Sequence, residues 1–172
     1  MIKKTAAKKA AANKNGVVSV MFCGTGGQGV LKAAEICGIA AMLDGHHVKK
    51  SEVHGMAQRG GSVESYIRFG RQVFSPLTPA GEVDFLVGFD ATEAARMQGL
   101  LRKGAVDITK ALGVAGEYIP SPLFVNTFMI GVLSQYAGIS EKSWITALHT
   151  VFAGKQEAEN ERVFRAARGV TL

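Results

Sequence analysis

The run Val17-Val18-Ser19-Val20-Met21-Phe22-Cys23 leads directly into Gly24-Thr25-Gly26-Gly27-Gln28-Gly29, and no other segment limits the possible folds as tightly. A short apolar, β-branched run reads as a strand buried on both faces. Beyond the glycines, Val30 to Leu43 carries Leu31, Ala33, Ala34, Ile36, Ala40, Ala41 and Met42, good helix formers with Gly38 as the weak point. Asp44-Gly45 ends that helix, and His47 to Val53 supplies a second strand. Strand, glycine turn, helix and strand in succession predict one right-handed βαβ unit. The fold class expected is α/β, a Rossmann-like three-layer sandwich with a mostly parallel sheet.

The chain then changes character. A loop from His54 to Gly61 precedes Val63-Glu64-Ser65-Tyr66-Ile67-Arg68-Phe69, where odd and even positions alternate as in a half-buried strand. Gly70-Arg71 has the form of a type II′ turn into Gln72-Val73-Phe74-Ser75, predicting an inserted β-hairpin. Pro76 and Pro79 break the chain, Val83 to Phe89 reads as another strand, and Asp90 is placed to cap a helix from Ala91 to Leu101. The C-terminal third reads as helical. Ser121-Pro122 opens one helix, with Val125, Phe128, Met129, Val132, Leu133 and Tyr136 as its core stripe. Ser140 caps another, with Trp144, Ile145, Leu148, Val151 and Phe152 facing inward.

A chain of 172 residues suits one domain. We expect it over residues 16–172, after a flexible basic arm at 1–15. The formal charge of +6 comes mainly from Lys3, Lys4, Lys8, Lys9 and Lys14, and without the arm the balance is +1. The arm therefore reads as a solvated terminus rather than a nucleic-acid-binding segment. No signal-peptide core or membrane span is apparent, so a cytoplasmic location is expected. Cys23 and Cys37 make no CxxC pair and read as buried reduced thiols. An iron–sulfur centre normally takes four Cys ligands, so this chain would not hold one alone. His46-His47 has no third ligand spaced nearby and reads as a solvated pair, and no metal site is expected. Asn126 reads as a satisfied buried amide.

Two segments can carry chemistry. Gly24, Gly26 and Gly29 meet the G-x-G-x-x-G spacing between strand and helix, where glycines admit a phosphate and the helix N-terminus offers unpaired N–H groups. Gly27 and Gln28 lie inside the turn, and Glu52 is near the position of a ribose-binding acid. The second segment is Ser51-Glu52-Val53-His54-Gly55-Met56-Ala57-Gln58-Arg59-Gly60-Gly61-Ser62. Arg59 can clamp a carboxylate or phosphate, Gly60-Gly61 allows close backbone approach, and His54 can titrate near neutrality. No catalytic residue stands out beyond the candidates His54 and Arg59. Binding candidates are Gly24, Gly26, Gly27, Gln28, Gly29, Glu52, Gln58, Gly60, Gly61 and Ser62. The second segment is suited to face a ligand or a partner subunit, and Glu52 and Arg59 are also able to pair across the loop and order it.

Together these two segments resemble the 2-oxoacid oxidoreductase gamma-domain family, and within it the small (beta) subunits of indolepyruvate:ferredoxin oxidoreductases. The likeness extends through Phe74-Ser75-Pro76-Leu77 to the strand at Asp84 to Phe89, and more thinly to the helix holding Asn126. It departs after Gly104, where the family carries a further strand and a longer connection. The resemblance implies a hetero-oligomer whose large subunit binds thiamine diphosphate and 4Fe–4S clusters. An arylpyruvate such as indolepyruvate would be decarboxylated and oxidised there, with ferredoxin as electron acceptor and coenzyme A as co-substrate. This chain would hold no cofactor alone. It would complete the site, with Gly24 to Gly29 and Arg59 facing an anionic group of coenzyme A or the substrate while Glu52, His54 and Gln58 line or brace it. Two other readings stay open: a free-standing Rossmann-type nucleotide-binding oxidoreductase, and a purely scaffolding subunit.

Overall fold

A computed structural model describes residues 16–55 and 60–172. Strands β1 (Val17–Thr25), β2 (His47–His54), β3 (Ser62–Gly70), β4 (Val83–Gly88) and β5 (Leu101–Asp107) form one sheet in the order β2-β3-β1-β4-β5. β1, β4 and β5 pair in parallel, whereas β3 runs antiparallel to both β1 and β2. Four strands thus share a direction and β3 opposes them. The helices are α1 (Val30–Leu43), α2 (Ala91–Met97), α3 (Val125–Leu133), α4 (Glu141–Val151) and α5 (Glu157–Ala167).

The expected α/β sandwich is present, with unequal layers. On one face Val20, Phe22, Ile67, Phe69, Phe85 and Val87 join the main core under α1, α3, α4 and α5. On the other, Met21, Cys23, Val83 and Leu86 form a smaller cluster with Ala94 and Met97 of α2, against which Tyr66, Leu100 and Leu101 pack. That thin face also buries a charge. Asp84, 1% exposed, accepts the Ser19 N–H at 2.7 Å and pairs with Arg102, tying β1, β4 and β5 together. Burial pushes its carboxyl above the usual range, against the lowering pull of the Ser19 and Arg102 hydrogen bonds.

Strand order departs from the expected βαβ unit. β2 runs in the direction of β1, but β3 lies between them. The place beside β1 is buried and takes Ile67 and Phe69, whereas β2 carries Lys49, Lys50 and Glu52 and suits the sheet edge. The hairpin is also displaced, because β3 pairs back onto β2 and Gln72–Ser75 form no strand. With β1 and β2 on its two sides, β3 has no edge left to offer. Residues 72–77 are instead held by side chains: the Val73 N–H donates to His47 Nδ1 at 3.0 Å, and Arg68 donates to the carbonyls of Ser75 and Leu77.

Asp90 caps α2 as expected, accepting from the Thr92 and Glu93 N–H groups at 2.9 and 3.0 Å. The helix stops at Met97 rather than Leu101, because Leu101 opens β5. A fifth strand is therefore present across Gly104, with an irregular register against β4. A 3-10 helix, Ile108–Glu117, follows it. α3 is buried from Asn126 to Leu133 on every side, not along one stripe. Ser140 caps α4, accepting the Ser143 N–H at 3.2 Å.

Candidate functional site

The carboxyl ends of β1, β2, β4 and β5 emerge at one edge of the sheet, the usual place for ligands in α/β folds. Register aligns His54, Val63 and Gly24 side by side across three strands there. The connection from β2 to β3 therefore leaves the sheet beside the glycine turn. The two are joined directly: the Gly26 N–H donates to the Gly61 carbonyl at 3.0 Å. Ser62 Oγ donates to Glu93 Oε2 at 2.6 Å, anchoring the same connection to the first turn of α2. Gly24, Gly26, Gly61 and Ser62 thus lie together at this edge. Gln58 and Arg59 lie outside the described residues, and only the backbone of His54 is described.

Within the turn, Gln28 folds back so that its Oε1 accepts the Thr25 N–H at 2.7 Å. Gly29 is the N-cap of α1 with φ 80°, and a Cβ on it would come within 2.7 Å of Asn126 Nδ2. Only glycine meets both the left-handed conformation and that close approach. As cap it has no side chain to give, so the first N–H groups of α1 have no side-chain acceptor.

Glu52 does not reach the turn. Its carboxylate pairs with Lys50, and β3 separates its strand from β1. A ribose-binding acid in a Rossmann unit ends the strand adjacent to β1, so this placement counts against the free-standing dinucleotide-binding reading.

The α2 side of the edge is rich in carboxylates. Burial, together with Glu64, Glu93, Asp107 and Asp90, pushes the Cys23 thiol up to about 12. Burial likewise raises the Tyr66 phenol, which donates to Glu64 Oε2 at 3.0 Å, and raises Cys37 within α1. Both thiols are fully buried, and burial favours their protonated form. Among the described residues no group of three or more His, Cys, Asp or Glu is placed to hold a metal ion. No helix among them is long and apolar enough to cross a membrane.

The helical side of the same edge is open. A cavity of about 680 Å³ lies against the turn, reached by Gly29 and Lys32 from α1, Asn126 from α3, and Lys155 and Gln156 at the start of α5. Sequence reading did not assemble this group. Asn126 departs from the fully satisfied amide expected of it: its Oδ1 accepts the Thr127 N–H at 2.8 Å, and among the described residues its Nδ2 has no partner.

Residues 19–120 match the family model of pyruvate ferredoxin/flavodoxin oxidoreductase. The chain is 43% identical over 93 residues to indolepyruvate oxidoreductase subunit IorB of Thermococcus kodakarensis, covering 54% of this chain and 46% of that one. It spans a little under half the length of that relative. It is also 30% identical over 170 residues to pyruvate synthase subunit PorC of Methanothermobacter thermautotrophicus, covering 88% of this chain and 94% of the other. The fold is similar to that of pyruvate oxidoreductase subunit PORC of Thermotoga maritima, with a TM-score of 0.63 at 19% identity over 89% of this chain and 96% of that one. A 2-oxoglutarate:ferredoxin oxidoreductase of Magnetococcus marinus, whose structure has 2-oxoglutarate, coenzyme A and succinyl-CoA bound, gives a TM-score of 0.69 at 17% identity over 89% of this chain and 30% of its own. The chain belongs to the pyruvate ferredoxin/flavodoxin oxidoreductase family.

Proposed function

We propose that the chain is the small subunit of a ferredoxin-dependent 2-oxoacid oxidoreductase acting on an arylpyruvate such as indolepyruvate, and that a large partner subunit carries thiamine diphosphate and 4Fe–4S clusters. Bound in that partner, these groups supply the electron sink for decarboxylation and the electron path to ferredoxin, while coenzyme A accepts the acyl group. The chain's two cysteines fall short of the four thiolates a cluster normally takes, which supports assigning the clusters to the partner. Its protonated, buried thiols suit the reducing cytoplasm. Residues 16–172 act as one domain.

The observation that carries this reading is the junction of the glycine turn with the connection from His54 to Ser62, through the Gly26 N–H and Gly61 carbonyl. It sets an uncapped helix N-terminus next to Gly60 and Gly61, which directly follow Arg59 in the sequence. The helix N-terminus and Arg59 are both suited to an anion, either a phosphate of coenzyme A or the carboxylate of the 2-oxoacid. We assign Gln58 and His54 to binding that anion, while Glu52, held by Lys50, braces the strand that leads toward it.

Arg59→Ala in the reconstituted complex tests the assignment. We expect normal assembly with a Michaelis constant for coenzyme A or the 2-oxoacid raised about tenfold, the signature of lost anion binding. Unchanged constants for both would mean that the loop contacts protein only and that the subunit is a scaffold.

A further inference from the structure

We infer that the cavity beside the glycine turn binds a small organic anion, a carboxylate or phosphate headgroup on an aromatic body. Its volume of about 680 Å³ is that of a small-molecule site. It shares Gly27 to Gly29 with the site above, but its other walls come from the C-terminal helices. It draws on the same helix N-terminus as the reading above, but it is tested on this chain alone, so it can fail without the oxidoreductase reading failing.

The charge on its walls has one sign. Lys32 and Lys155 line it and no carboxylate does. Neither lysine has a carboxylate partner among the described residues. The nearest acids of α5 are occupied elsewhere, Glu157 accepting the Gly154 N–H at 2.6 Å and Glu159 pairing with Arg162. α1 adds the positive end of a fourteen-residue helix with no side-chain cap and no acid in its first turn.

Asn126 makes this more than a bare helix terminus. It is 6% exposed, lines the cavity, and keeps an unpartnered Nδ2 beside Gly29. That amide opens onto the cavity rather than onto a protein acceptor, and an anionic oxygen placed between Asn126 Nδ2 and the first N–H groups of α1 would accept from both. The remaining wall is apolar, with Phe89, Phe124 and Phe152 beside the aliphatic Leu112, Leu123 and Val125. Lys32 Nζ lies 5.5 Å from the Phe152 ring centroid, at the junction of the charged and aromatic parts. Cations, N–H donors and a largely apolar wall with three rings in one cavity favour an aryl anion over a bare inorganic ion.

The test uses the full chain and fluorescence titration with 8-anilinonaphthalene-1-sulfonate, displaced by phenylacetate, phenyl phosphate or neutral phenylacetamide. Phenylacetate or phenyl phosphate should displace the probe at concentrations at least tenfold below phenylacetamide, and the stronger of the two identifies the headgroup. Asn126→Asp keeps the acceptor for Thr127 but replaces the donor with a negative oxygen, and should weaken the anions at least tenfold. The double variant Lys32→Glu/Lys155→Glu changes only exposed side chains, so it tests the same point without disturbing the core, and the same loss is expected. Displacement by phenylacetamide as readily as by the anions, no displacement by either anion, or unchanged anion affinity in the lysine double variant would overturn the inference.

Discussion

The two faces of the sheet reach the same ligand edge but are built differently. On the helical face, Phe22 sits in a large apolar core beneath four helices, and the edge opens into a cavity with lysines and no carboxylate. On the α2 face, Met21 and Cys23 meet one short helix, and the edge is crowded with Glu64, Glu93, Asp90 and Asp107. One face is held mainly by burial, and the other leans on hydrogen-bonded charge, with Asp84 at its centre. Stability is therefore concentrated on one side, leaving the other for polar anchoring of the loop that enters the proposed shared site.

Substitutions of neighbouring strand residues separate these modes. Phe22→Ala should lower unfolding stability by about 4 kcal/mol in urea melts, as expected for a large side chain lost from a close-packed core. Asp84→Ala should cost about 3 kcal/mol, because it leaves Arg102 and the Ser19 N–H without their shared acceptor. A cost below about 0.5 kcal/mol for Asp84→Ala would mean that charge contributes little to the thin face and would break the comparison.

Ser62→Ala removes the bond to Glu93 and should cost about 1 kcal/mol. Its sharper signature is local: amide exchange in residues 60–62 should accelerate while β1 and α1 remain protected. Uniform acceleration across the sheet would show that Ser62 supports the whole fold rather than the connection.

The smallest effect lies on the helical face. Burial pushes the Asp44 carboxyl upward, but hydrogen bonds from the Ser140 N–H and the Ser140 and Ser143 hydroxyls outweigh it and hold the group below the usual carboxylate range. A depressed folded value means that the unfolded chain binds the proton more readily. The stabilisation is thus present above the ordinary carboxylate range and lost as pH falls through the folded value. Asp44→Asn should cost under about 1 kcal/mol at neutral pH, and the difference from the parent chain should vanish in acid melts. A difference that persists in acid would assign the loss to packing.

Local features were legible in the sequence because their causes are local. The glycine turn, the burial of β1, and the Asp90 and Ser140 caps follow from neighbouring residues, and the structure contains all of them. Strand order was not legible, because nothing near β2 records that the more apolar β3 takes the place beside β1. α5 carried a readable stripe at Asn160, Val163, Phe164 and Ala167, masked by its polar first member. Asn160 is buried because it accepts from Thr127 Oγ1 at 2.5 Å, a partner on another helix. The junction of Gly26 with Gly61 fits the two segments singled out from spacing. The cavity did not emerge, since Lys32, Asn126 and Lys155 meet only through the packing of α1, α3 and α5.

The central claim, that this chain completes a site in a larger oxidoreductase, is tested most directly by anaerobic co-purification of the tagged chain from its native cells. Mass and visible absorbance of the bound material are the readouts. The account predicts a large brown partner containing thiamine diphosphate and oxidising an arylpyruvate in the presence of coenzyme A. A colourless chain recovered without a partner would contradict it.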